Sequence, residues 1–126
     1  MLAAISSGLV HLHVQFYGKG PTRAKTHMVD DTIICMLEGG FTIVERTLID
    51  DGKAHDVERI RRSFERTMER QFTGLIEAET GRAVVAYMSQ VHADPDLAVE
   101  LFVLEPVSER VEHEQELDLG DRSPNP

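Results

Sequence analysis

The segment Gly18-Lys19-Gly20-Pro21-Thr22-Arg23, with Lys25 two residues further on, is the first place where residue types and spacing suggest chemistry. Two glycines let backbone N–H groups converge, and Lys19, Arg23 and Lys25 add positive charge. That combination suits a phosphate, a carboxylate or bicarbonate. It is not a Walker loop, because no Gly-Lys-Ser/Thr opens a helix. It also follows a helical pattern, whereas a dinucleotide loop follows a strand. The same residues also read as a helix stop and a rigid turn into a strand, with Lys19 complementing the helix dipole. Gly18, Lys19, Gly20, Thr22, Arg23 and Lys25 are therefore candidate anion ligands, with a structural turn as the alternative.

A second constellation is the row Arg59, Arg62, Arg66 and Arg70. At ~100° per residue these fall within a narrow arc of one helix, opposite an apolar stripe. Glu58, Glu65 and Glu69 run beside them. Such a row is either a docking face for an acidic partner or a solvated face laced with pairs such as Arg61–Glu65 and Arg66–Glu69.

Other catalytic arrangements do not form. Cys35 is the only cysteine and lies in an apolar strand pattern, so it reads as a buried residue. His11 and His13 are two apart on a helix and point in different directions. Ser6, Ser7, Ser63 and Ser89 lack a Gly-x-Ser-x-Gly setting. Asp30-Asp31 is explained by a turn. The expectation is a non-enzymatic protein with no cofactor and no metal.

The elements that must position these residues follow from periodicity. Leu2, Ile5, Leu9, Leu12 and Phe16 form one helical stripe, which Gly18 stops. Lys25 to Val29 and Thr32 to Leu37 flank Asp30-Asp31 as a hairpin. Thr42-x-x-Glu45 is a capping box that opens a short helix, with Gly52 as its stop. A longer helix follows over roughly 56–80, with Val57, Ile60, Phe64, Met68, Phe72 and Leu75 as its apolar face and Gly81 closing it. Residues 82–92 and 97–104 make a second hairpin around Ala93-Asp94-Pro95-Asp96.

The order α-ββ-αα-ββ predicts an α+β single domain: an antiparallel four-stranded sheet with packed helices. Strands 33–37 and 97–104 are apolar on both faces, so they should be central. With few helices available as cover, a homodimer is expected to supply the rest. The domain is expected over 1–106. Residues 107–126, acidic and proline-punctuated, are expected to be a disordered tail that adds little to folding.

The chain has 126 residues and a net charge of −9, which argues against nucleic acid as a partner. No apolar run approaches the ~20 residues of a membrane span, and no secretory leader is evident. The expected location is cytoplasmic.

One ordered series of motifs resembles a known family. It comprises Ile5-Ser6-x-x-Leu9-x-x-Leu12, Tyr17-Gly18-Lys19-Gly20-Pro21-Thr22, Asp30-Asp31, Leu37-Glu38-Gly39-Gly40-Phe41-Thr42 with Glu45, and Leu48. Phe64, Thr80-Gly81-Arg82, a strand ending near Ser89, Asp94-Pro95-Asp96 and Phe102-Val103-Leu104-Glu105-Pro106 continue it. Over residues 3–106 the chain resembles the MpsC-like domain, named for component C of a Na+-translocating membrane-potential-generating system. It departs from the family's Leu-Thr-Pro-x-Glu pattern at Phe41-Thr42-Ile43-Val44-Glu45. Proline at the first helical position is favourable but dispensable. The resemblance implies an accessory or regulatory protein of a membrane cation or inorganic-carbon transport system, peripheral to the membrane through a transporter subunit. The alternative is a small-anion sensor built on Gly18–Arg23.

Overall fold

The computed structural model describes residues 1–107 and 117–120. Its first helix, α1 (Leu2–Tyr17), buries Ile5, Leu9 and His13 along one line. Gly18 ends it at φ 77, a left-handed conformation in which the Gly18 N–H reaches the Val14 carbonyl. The chain then enters β1 (Arg23–Val29) and β2 (Thr32–Glu38), paired so that Val29 faces Thr32 across the two-residue Asp30-Asp31 turn. Asp30 takes φ 52, which short side chains such as Asp tolerate better than most.

Next come α2 (Ile43–Asp50), α3 (Ala54–Thr67) and α4 (Glu69–Thr80). The expected capping box is present. Glu45 N–H donates to Thr42 Oγ1 at 3.2 Å, and Thr42 N–H donates to Glu45 Oε1 at 2.9 Å. The last hairpin is β3 (Val84–His92) with β4 (Leu97–Leu104), bulged between Val84 and Ala86. The sheet order is β1-β2-β4-β3, antiparallel throughout. The strands expected to be central, β2 and β4, are the two central strands.

Two expectations need correction. The single long helix is two, α3 and α4, meeting at Met68 (φ −102, ψ 8), so the order is α-ββ-ααα-ββ. No proline or glycine marks this junction, so nothing local announces it. The buried face of α3 is also not the one the apolar residues trace. Val57, Arg61 and Glu65 point inward, while Ile60 is 53 % exposed. The helix is rotated by roughly 50° from the expected orientation, taking ~100° per residue. Arg61 and Glu65, expected to be a solvated pair, lie in the interior.

All four helices cover one sheet face. Ile5 and Leu9 of α1, Met68, Phe72 and Ile76 around α4, and Ile33, Cys35, Leu37, Phe102 and Leu104 of the sheet form the main core. Phe41, Val57 and Val91 form a smaller one beneath α2 and α3. None of the described elements covers the opposite face. There Ile34 pairs with Leu101 and Leu101 with Met88, while Met36 pairs with Val99 and Val99 with Gln90. Lys25 and His27 line the β1 side of this face. Most of residues 107–126, expected to be a disordered tail, lie outside the described residues.

Candidate functional site

The glycine-proline loop folds onto the turn that follows β2. Thr22 N–H donates to the Glu38 carbonyl at 2.8 Å, extending the hairpin by one bond. Lys19 Nζ donates to the carbonyls of Gly39 (2.8 Å) and Phe41 (2.9 Å). From the other side Asp96 accepts, through its two carboxylate oxygens, from the N–H groups of Gly40 and Phe41, each at 3.2 Å. Its carbonyl takes the Gly39 N–H. One lysine and one aspartate thus satisfy a turn that has no ladder partner of its own. Gly18 serves as the helix stop, and Thr22 Oγ1 also donates to the Glu38 carbonyl. Arg23 lies 3.6 Å from Glu38 in a largely exposed pair, and Lys25 is exposed on the open sheet face. The candidate anion ligands therefore do not converge on one point. Lys19 is engaged with carbonyls, and Arg23 and Lys25 follow the strand away from it.

Gly20 is confined by packing. A Cβ there would lie 2.6 Å from Val14 Cγ2 on α1. A valine in a helix has essentially one rotamer, so it cannot turn aside cheaply. Gly20→Ala should cost about 1–2 kcal/mol and lower the melting temperature by several degrees with every charge retained. An unchanged thermal melt would show that the loop has more room than this geometry allows.

Beneath the loop lies a buried charge network. Arg61, 3 % exposed, donates from Nε to Glu45 Oε2 (2.5 Å) and from Nη2 to Glu45 Oε1 (2.6 Å) and the Gly40 carbonyl (3.0 Å). Its guanidinium stacks on the Tyr17 ring at 3.8 Å. Glu45 thus caps α2 and clamps α3 with one carboxylate. Burial alone would raise its pKa, but the hydrogen bonds from Arg61 and Thr42 and the Arg61 charge bring it below the usual carboxylate value. Burial likewise disfavours the Arg61 cation, and Glu45 more than compensates.

Two further carboxylates lie deeper. Glu100 of β4 has no exposed surface. Tyr87 O–H donates to its Oε2 at 2.5 Å. Its Oε1 has no hydrogen-bond partner and faces His13 Nε2 at 3.6 Å. His13 Nδ1 is 2.7 Å from the Leu9 carbonyl, which fixes the ring and assigns the Nδ1 proton to that bond. Glu65 of α3 is 7 % exposed. Burial and then the Glu100 charge push its carboxyl up to about 7, only partly offset by the nearby Ser89 hydroxyl, Arg61 and His13. Burial raises the Tyr17 and Tyr87 hydroxyls far above their ordinary value, so both stay protonated. Burial also raises the Cys35 thiol, which fits a packed side chain better than a nucleophile.

The arginine row is divided by the junction at Met68. Arg59, Arg62 and Arg66 are exposed on α3, and Arg70 is exposed on α4. Arg59 pairs with Asp56 at 3.0 Å. A second stitch joins the other end of the domain, where Arg82 Nη2 donates to Asp31 Oδ1 at 2.6 Å and to the Glu105 carbonyl.

These contacts define a class: a small α+β domain whose sheet is covered on one side, with loops riveted around a buried charge network. The family described as Na+-translocating membrane potential-generating system (MpsC) matches residues 1–106, and the chain belongs to it. No curated protein and no solved structure matches the chain. The motif series that resembles the family supplies the rivets: Lys19, Thr22, Glu38 to Phe41, Glu45, Asp96, Asp31 and Arg82. Glu65, Glu100, Tyr87, His13 and Arg61 were not among the expected site residues. The one signal available was a glutamate inside an otherwise apolar strand, Leu97 to Leu104.

Proposed function

We propose that this protein is a non-enzymatic accessory or regulatory subunit of a membrane cation or inorganic-carbon transport system. On this reading it acts at the cytoplasmic side as a homodimer. The observation that carries the reading is its membership of the MpsC family combined with the absence, among the described residues, of any helix long and apolar enough to cross a membrane. A domain of that kind works in such a system through contacts with a spanning partner.

Two surfaces suit those contacts. The open face of β2 and β4 suits a second copy of the chain. Four strands at ~4.8 Å spacing and about seven residues at ~3.3 Å rise give roughly 450 Å² in projection. Two corrugated faces of that size bury about the 1,000 Å² that a specific interface needs. A depression of about 480 Å³, lined by Val29, Ile34, Val85, Val103 and Pro106 among others, continues this face at one end. The outer side of α3, with Arg59, Arg62 and Arg66 beside half-exposed Ile60, suits an acidic surface on the transporter, and Arg70 extends the charge onto α4.

Affinity purification of the tagged protein from native membranes in mild detergent tests the role. A membrane-embedded transport subunit should co-purify, and Arg62→Glu with Arg66→Glu should release it. Recovery of the protein with no membrane-embedded partner would sink the proposal.

A further inference from the structure

The interior of the domain holds more negative charge than its fixed cations balance. Among the described residues Arg61 is the only buried lysine or arginine, and Glu45 holds both arms of its fork. Glu65 and Glu100 are then left with His13 as the one further group able to carry positive charge. His13 Nε2 faces Glu100 Oε1, whereas Glu65 forms no ion pair with a described residue.

The surroundings do not offer a metal ion as the counter-charge. No set of three His, Cys, Asp or Glu side chains among the described residues converges to hold one. The void beside Glu65 is about 10 Å³, room for about one water, and is lined by Ser89, Arg61 and the surface residues Glu58, Arg62 and Gln90. It gives the Glu65 carboxyl a short path to solvent, whereas Glu100 is sealed.

We propose that Glu65, buried on α3 and lining one void with Ser89, the cross-strand neighbour of Glu100, is a proton-binding site, with the proton taken up and released through that void. With the proton present, the Glu65 carboxyl is neutral and α3 is held on β3. When it leaves to water, an unpaired negative charge is left in the interior and the hold of α3 on the sheet is weakened. The titratable and charged groups around it are His13 and Tyr17 from α1, Glu45 from α2, Arg61 from α3, Cys35 from β2, Tyr87 from β3 and Glu100 from β4, with the Ser89 hydroxyl of β3 beside them. Both tyrosines and the thiol stay protonated, and Glu45 stays ionised. The group left to exchange a proton near neutrality is Glu65.

The sign follows from linkage. A carboxyl whose pKa is about 7 in the folded chain and 4.5 without its surroundings binds more protons when folded. Its stabilising contribution is complete below about 4.5, declines as pH rises, and is lost above about 7. Acidification from pH 8 to 6 should therefore raise the melting temperature by about 5 °C, where an ordinary salt-bridged carboxylate gives no change in that range.

The test is a carboxyl-carbon NMR titration with thermal melts, on the full chain, for wild type, Glu65→Gln, Glu100→Gln and His13→Gln. Wild type should show one glutamate titrating near neutrality and a melt that weakens from pH 6 to 8. Glu65→Gln, a mimic of the protonated form, should fold, lose that resonance and melt independently of pH in this window. Glu100→Gln should move the remaining midpoint down by a unit or more. His13→Gln should keep a near-neutral carboxyl, which separates Glu65 from histidine titration. The proposal is overturned if every wild-type glutamate titrates below about 5.5, if Glu100→Gln leaves the midpoint in place, or if the pH slope disappears only in His13→Gln.

Discussion

Arg61→Ala should remove roughly 3 kcal/mol or more of stability, the cost of leaving a buried carboxylate without its cation. The residue holds α3, α2 and the Gly40 turn at once, with two bonds to Glu45, one to the Gly40 carbonyl and the Tyr17 ring beneath it. Domains of this size carry about 5–15 kcal/mol in total, so the melting temperature should fall by 10 °C or more. Arg62→Ala, one residue along and exposed, should stay within about 0.5 kcal/mol of wild type. Arg61→Lys should recover little, because an ammonium cannot reproduce a planar fork bonded to both carboxylate oxygens. Chemical denaturation of the three variants measures this directly. If Arg61 behaves like Arg62, the network is not what holds α3.

That contrast shows where the sequence was legible. Period and punctuation located α1, both hairpins, the Thr42–Glu45 capping box and the left-handed glycines 18, 52 and 81, because each of these is decided by residues within a few positions of one another. The orientation of α3 is decided by partners 16 and more residues away, Glu45 and the sheet, and only they make it tolerable to bury Arg61 and Glu65. An amphipathic reading therefore turned Ile60 inward when it faces out. Lys19 illustrates the same limit. Its charge beside two glycines suggested an anion, but its partners are carbonyls of a turn about 20 residues on. The open sheet face could be anticipated because alternation along a strand survives any tertiary arrangement.

Leu101→Lys should weaken self-association by at least about 100-fold while leaving the monomer folded. Leu101 sits on central strand β4 of the open face, between Ile34 and Met88. In a single chain a lysine there can lay its stem along the sheet and keep its ammonium in water. In a face-to-face dimer the same ammonium has no route out, and an unpaired buried charge costs about 3 kcal/mol or more. A dimer formed through this face with its two-fold axis along the strands would set β1 of one copy over β3 of the other, so that Lys25 would meet the partner's Gln90 and Ile34 the partner's Leu101. An axis across the strands would instead lay β1 of one copy on β1 of the other and bring their Lys25 side chains close at one edge, which like charges disfavour. In the first arrangement the central contact would be apolar in both copies, and Lys25→Ala at its edge should change the dissociation constant only slightly. Sedimentation velocity across the micromolar range separates the outcomes. Wild type should run as a dimer, Lys25→Ala likewise, and Leu101→Lys as a monomer with an unaltered circular dichroism spectrum. A wild-type protein that remains monomeric across that range would leave the open face to a different partner.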